Sequence, residues 1–203
     1  MFDGQNEIHA ALRRLGKLML YEYAEPIVLV VCGGSALNVL GIAQRTTKDV
    51  DVLAIVDDAG GTLVIRKDQS FSPSFVDLVA HIGADIGLLP EWLNMGPKDM
   101  VATYGFPPGM TRRLTRFEYG PSLTVYFIGR LDQVHLKVLA AADPKAQQQH
   151  MEDLKERIRP TSAEVHAAID WLLDRSTSAW FRERLRYVAT ELNYDDIAAH
   201  IPD

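Results

Sequence analysis

The sequence predicts a mixed α/β domain followed by an all-helical C-terminal part. Three observations carry that prediction. Two continuous apolar runs, Ile27-Val28-Leu29-Val30-Val31-Cys32 and Val52-Leu53-Ala54-Ile55-Val56, read as strands covered on both faces. Apolar residues at helical spacing recur before and after them. Beyond about residue 129 every legible pattern is helical. The expected division is an α/β core over 1–129 and a helical region over 130–203.

Composition bounds the reading further. The chain has 203 residues, 47% of them apolar, which suits one large domain or a domain with a helical appendage. A charged fraction of 24% gives no reason to expect long disorder. A net charge of -6 does not advertise a nucleic-acid partner, although local basic patches can serve one. The single cysteine, Cys32, allows no intrachain disulfide and suits a reducing compartment. Met1–Glu7 shows no basic and apolar leader pattern, and no apolar run reaches the ~20 residues of a membrane helix. The expected location is the cytoplasm, without a membrane partner.

In chain order, residues 6–22 read as an amphipathic helix with Asn6 as N-cap, because Ile8, Ala11, Leu12, Leu15, Leu18 and Met19 share one face. Pro26 punctuates it, and 27–32 is the first strand. Gly33-Gly34 ends that strand, and 35–43 suits a short helix capped by Ser35. A basic connection, Arg45-Thr46-Thr47-Lys48, leads into a strand over 49–56, with a turn at 57–61 and a short strand near 62–66. Residues 73–84 look helical, and 88–98 irregular. Arg112–Glu118 and Leu123–Ile128 flank Gly120-Pro121-Ser122 as a hairpin. Asp132 suits the cap of a helix over 133–142. Residues 146–157 continue as helix. Thr161-Ser162-Ala163-Glu164 is a capping box opening a helix to about Leu173, and a further helix runs over 179–192.

The chemistry-bearing pattern is Gly33-Gly34-Ser35, thirteen residues, then Asp49-Val50-Asp51. On a strand, residues i and i+2 face the same way, roughly 6.5 Å apart at Cα. Two such carboxylates can bracket Mg²⁺, a hard cation that prefers oxygen. The glycines let the backbone turn and approach a ligand, and the helix that follows aims free N–H groups at a phosphate. Ser35 can add a hydroxyl donor. The same residues also describe a half-exposed strand with outward acids after a tight capped turn. The two motifs together are more specific than either.

Gly34-Ser35, the thirteen-residue spacer and Asp49-Val50-Asp51 resemble the signature of the DNA polymerase β nucleotidyltransferase superfamily. The fuller text, Gly33-Gly34-Ser35-Ala36-Leu37 and Arg45-Thr46-Thr47-Lys48-Asp49-Val50-Asp51, is similar to small bacterial AbiEii-like nucleotidyltransferase proteins of toxin–antitoxin and phage-defence systems. The match covers residues 27–56, with weaker echoes in Trp92-Leu93-Asn94, around Lys137 and in Asp153-Leu154. The resemblance implies a nucleotidyltransferase-type mixed sheet flanked by helices. It implies Mg²⁺-dependent transfer of a nucleoside monophosphate from a nucleoside triphosphate to a hydroxyl acceptor, with Mn²⁺ as an alternative ion. RNA, protein, antibiotic and metabolite remain open as acceptor, and an antitoxin is an implied partner. Asp49 and Asp51 would hold the metal. Gly33, Gly34, Ser35, Arg45, Lys48 and Lys137 would bind the nucleotide, and Asp153 would serve as base for the acceptor. A non-catalytic nucleotide-binding or interaction protein that keeps the fold is the alternative.

Lys137 stands out without any family, as the one polar residue between Leu136 and Ala142. Such a cation needs an anionic partner or a route to water. Asp153, in Glu152-Asp153-Leu154-Lys155-Glu156-Arg157, also reads as part of a solvated helix face. Two departures from the pattern matter. The strand Leu123–Ile128 carries no acid where polymerase-type members have a third carboxylate, leaving Glu118 as the nearest alternative. Asn94 is followed by Met95 where relatives often carry aspartate. The six histidines show no close metal-ligand spacing. Cys32 reads as a buried thiol, and the arginines at 112, 113, 116, 182, 184 and 186 read as solvated faces or RNA contacts.

Overall fold

The computed structural model describes residues 1–44, 46–145 and 147–202. The fold is mixed α/β with a helical C-terminal part. Two compact units divide it, one of Met1–Gly105 with Met110–Gly129 and the other of Phe106–Gly109 with Arg130–Asp203.

The first unit opens with helix α1 (Gln5–Tyr21), which buries Ile8, Ala11, Leu12, Leu15, Gly16 and Met19. Its N-cap is Gly4, so Asn6 lies inside the first turn. The cause is Glu7, whose carboxylate accepts from the Asp3 amide at 2.8 Å and draws the helix start back. Strand β1 (Ile27–Cys32) follows. Helix α2 (Gly33–Val39) begins at once, two residues before the expected cap Ser35. Gly33, at φ 71°, makes the turn that other residues resist.

Strand β2 (Val50–Ala59) extends past the expected turn at 57–61. Gly60 and Gly61 both have positive φ, which suffices for a two-residue hairpin into β3 (Thr62–Ile65). Asp57 and Asp58 therefore belong to the strand and pair with Val64 and Leu63. Helix α3 (Pro73–Ile86) is capped by Ser72, whose hydroxyl accepts from the Phe75 amide at 3.2 Å. The segment expected to be irregular contains a two-residue strand, β4 (Leu93–Asn94), and helix α4 (Lys98–Tyr104) comes after it. The hairpin is β5 (Thr115–Glu118) and β6 (Leu123–Phe127).

Among the described residues the strands form one six-stranded sheet in the order β3-β2-β1-β6-β5, with β4 against the start of β2. β1 is central, antiparallel to β2 and parallel to β6, which explains its continuous apolar text. Val31 pairs with Val52 but Val30 with Ala54, so Leu53 is an extra residue, a β-bulge. On one face Phe117 and Phe127 meet edge-on, and the His9 ring of α1 lies 5.0 Å from Phe117. Cross-strand partners share a face, so Asp51 leaves the sheet with its partner Cys32 on the face opposite α1.

The second unit is built on helix α5 (Arg130–Ala142), buried nearly all round and packed on α6 (Gln147–Glu152), α7 (Ser162–Leu173) and α8 (Ala179–Glu191). Asp132, expected as its cap, is buried in the first turn. After α6 the chain widens into a π-helical turn, Asp153–Ile158. The capping box of α7 forms as its text requires: Glu164 N–H donates to Thr161 Oγ1 at 3.3 Å, and Thr161 N–H to Glu164 Oε2 at 2.7 Å. A final helix, α9 (Asp195–His200), is too short to show a periodic apolar face in the sequence. Two α8 arginines serve carbonyls rather than solvent. Arg184 Nε donates to Ala142 O at 3.1 Å, and Arg186 to Ile201 O and Pro202 O at 3.0 and 2.7 Å. Among the described residues no helix is long and apolar enough to cross a membrane.

Candidate functional site

Gly33 and Asp51 meet at the end of β1. A Cβ built on Gly33 would overlap the Asp51 carboxylate at Oδ2, so the bare glycine leaves the space that this acid occupies. Asp51 pairs with Cys32 on one side and Asn94 on the other, which fixes its backbone between β1 and β4. The bulge at Leu53 lies just beyond it. Gly34 is buried in the first turn of α2. Ser35 is fully buried there, its hydroxyl donating to Cys32 O at 3.1 Å. It does not cap the helix, because the turn at Gly33 already placed Cys32 in that position.

Asp49 stands one residue outside β2 and is half-buried, with Lys48 exposed beside it. The strand had been expected to include Asp49. Instead, the chain here is held by a bridge between Thr47 and Phe2 and enters the sheet at Val50, whose N–H donates to Trp92 O at 2.6 Å. Arg45 lies outside the described residues.

The other two candidates come together in the second unit. Lys137 Nζ donates to Asp153 Oδ2 at 2.6 Å, with His150 Nδ1 3.3 Å from the same ammonium. Arg157 donates to Asp153 Oδ1 at 2.8 Å. Asp153 is fully buried and Lys137 nearly so. The solvated helix face expected at Asp153 is thus corrected: the π-helical turn carries its carboxylate inward, where two cations meet it. Two signals of this group were readable: the lone cation Lys137 in an apolar helix, which needs an anionic partner, and the Asp153–Arg157 spacing of four.

The alternative third acid, Glu118, is engaged by Arg116, and it sits opposite Thr124, away from the Phe127 end of β6. The sheet face of Asp51 also carries a group that the sequence did not announce. Tyr126 Oη donates to Asp58 Oδ2 at 2.7 Å, and Arg116 Nε is 4.0 Å from that oxygen. The Tyr126 hydroxyl, the Gly61 amide and Arg116 hold the Asp58 carboxyl below its ordinary range. Burial first, and then Asp58, pushes Tyr126 up.

Asp49 and Asp51 carry the donor type that Mg²⁺ takes, one or two carboxylates with phosphate and water in its remaining positions. With Asp49 outside β2, the strand alone does not set the two on one face. Among the described residues no group of three or more acidic, histidine or cysteine side chains could hold a metal alone. Compared with protein-family models, curated proteins and solved structures, the chain finds no match.

Proposed function

We propose that the protein is a Mg²⁺-dependent nucleotidyltransferase of the type its Gly33–Asp51 text resembles. The observation that supports this is the seating of Asp51 in the space left by Gly33. It joins the two halves of the motif, eighteen positions apart in sequence, at the end of one central strand. A side-chain-free turn beside a carboxylate suits a charged triphosphate tail carried with its metal ion.

In this reading Asp49 and Asp51 bind Mg²⁺, which when bound supplies charge neutralisation at the triphosphate. The glycine turn lets phosphate oxygens approach the main chain, and the exposed Lys48 adds positive charge beside the acids. Catalysis would consist of positioning and electrostatic stabilisation while a hydroxyl replaces pyrophosphate on the α-phosphorus. Lys137 as a phosphate ligand and Asp153 as base would each require the Lys137–Asp153 pair to open.

That closed pair favours a second reading. In it the chain binds a nucleotide without transferring it. One experiment separates the two: incubation with each α-labelled nucleoside triphosphate, Mg²⁺ and cell extract, comparing the wild type with Asp49→Ala/Asp51→Ala. Transfer of label by the wild type alone supports the enzyme. Equal labelling by both proteins defeats it. Nucleotide binding by the wild type with no labelled acceptor leaves the second reading.

A further inference from the structure

We propose that Phe2, seated on Trp92, is a positioning residue for the Asp49 carboxylate, an inference that rests on the metal-site reading above. Asp49 belongs to no strand, yet the chain is fixed on both sides of it. At Thr47 two main-chain hydrogen bonds join it to Phe2: Phe2 N–H donates to Thr47 O at 2.7 Å, and Thr47 N–H to Phe2 O at 3.0 Å. At Val50 the amide donates to Trp92 O at 2.6 Å. Only Lys48 and Asp49 lie between these two clamps.

The clamps are themselves joined. The Phe2 ring stands edge-on to the Trp92 ring, with centroids 5.9 Å apart, and both side chains are buried. Trp92 is anchored in turn, its indole N–H donating to Val79 O of α3 at 2.8 Å. Two side-chain links add to the grip. Thr46 Oγ1 donates to Asp3 Oδ1 at 3.2 Å, and Thr47 Oγ1 to the carbonyl of Asp49 at 3.3 Å. Residues 1–3 are far from the acids in sequence, and burial of the ring by itself does not require the paired main chain. The bridge ties that buried ring to the segment carrying a candidate metal ligand. Ordering a free connection costs main-chain entropy, so a segment released from its clamp would lose a fixed Asp49.

The test is Mn²⁺ binding to the full chain, read by electron paramagnetic resonance, with thermal melting alongside and Asp51→Ala as the reference for a lost site. Phe2→Ala is expected to weaken Mn²⁺ about tenfold, the scale of second-layer effects on metal sites. Phe2→Leu, which refills the pocket and keeps the bridge, is expected to restore most of that loss. Asp3→Ala removes only an exposed link; it should weaken Mn²⁺ severalfold at an unchanged melting temperature, and it carries the test should Phe2→Ala not fold. Provided that the wild type binds, unchanged affinity in folded Phe2→Ala, or in Asp3→Ala where Phe2→Ala does not fold, overturns the inference while leaving the metal site standing. A wild type that binds Mn²⁺ no better than Asp51→Ala defeats the metal-site reading itself, and the inference with it.

Discussion

Asp51 Oδ2 lies within overlap distance of the place where residue 33 would carry its Cβ in any amino acid but glycine. Gly33 is also at φ 71°, a left-handed conformation that costs an L-residue about 1–2 kcal/mol. Gly33→Ala therefore has two consequences. Urea unfolding should show a loss of at least that strain, and the Asp51 carboxylate must move. Mn²⁺ affinity should fall toward that of Asp51→Ala. A Gly33→Ala protein with wild-type Mn²⁺ affinity would show that the carboxylate does not need its present seat.

Asp153 neutralises Lys137 and Arg157 inside the second unit. Asp153→Ala leaves the Lys137 ammonium buried without its carboxylate, whereas Arg157, about one third exposed, can turn to water. Breaking a buried pair costs about 3–5 kcal/mol, so the urea midpoint should drop steeply. Lys137→Met/Asp153→Leu removes both charges and should lose less than the sum of the single changes. Additive losses would mean that the pair is not coupled.

The sequence showed the central strands, the capping box at Thr161 and the glycine–aspartate text because each is a local pattern. β1 is apolar on both faces, and Thr161 and Glu164 are three residues apart. What it hid depends on distant partners. The bulge at Leu53 breaks no hydropathy rule, since every residue from Val52 to Val56 is apolar. Phe2 carries no signal of its own in the sequence, Trp92 lies in a stretch without periodicity, and nothing local says that they bracket Asp49. Asp153 sits among charges in sequence, and only a turn with π geometry brings it inward. Asp58 read as a turn residue because two glycines follow it, whereas those glycines suffice for the hairpin alone.

Gly16 of α1 lies against the hairpin, where an added Cβ would overlap the carbonyl oxygen of Tyr119. Helix propensity alone favours Gly16→Ala by nearly 1 kcal/mol, since glycine is a poor helix residue. The steric term opposes it, because a main-chain carbonyl cannot swing aside as a side-chain tip can. Overpacking of this kind costs about 1–3 kcal/mol or more, so Gly16→Ala should destabilise despite its better propensity. Loss of the His9–Tyr119 contact, now 2.7 Å, should accompany it and be visible as a shift in the His9 ring resonances. A stabilised Gly16→Ala protein would mean that α1 can withdraw from the hairpin at little cost.

Tyr126 and Asp58 give the sheet a pH-dependent tie. The Tyr126 hydroxyl is the largest cause holding the Asp58 carboxyl below its ordinary value. A depressed carboxyl adds stability that is present above its unfolded value, about 4, and lost as pH falls through the lower folded value. Tyr126 is shifted the other way, by burial first and then by Asp58. Its contribution is present below its unfolded value of about 10 and lost as pH rises through the raised one. Comparing the wild type with Tyr126→Phe by urea unfolding at each pH isolates this tie. The wild type should be more stable by about 1.5 kcal/mol, the order of a hydrogen bond to a charged acceptor, across the range from about pH 4 to 10. The difference should shrink below and above that range. If it is instead the same at pH 2 as at pH 7, the carboxylate form of Asp58 contributes nothing to the bond, and packing of the Tyr126 ring accounts for the whole effect.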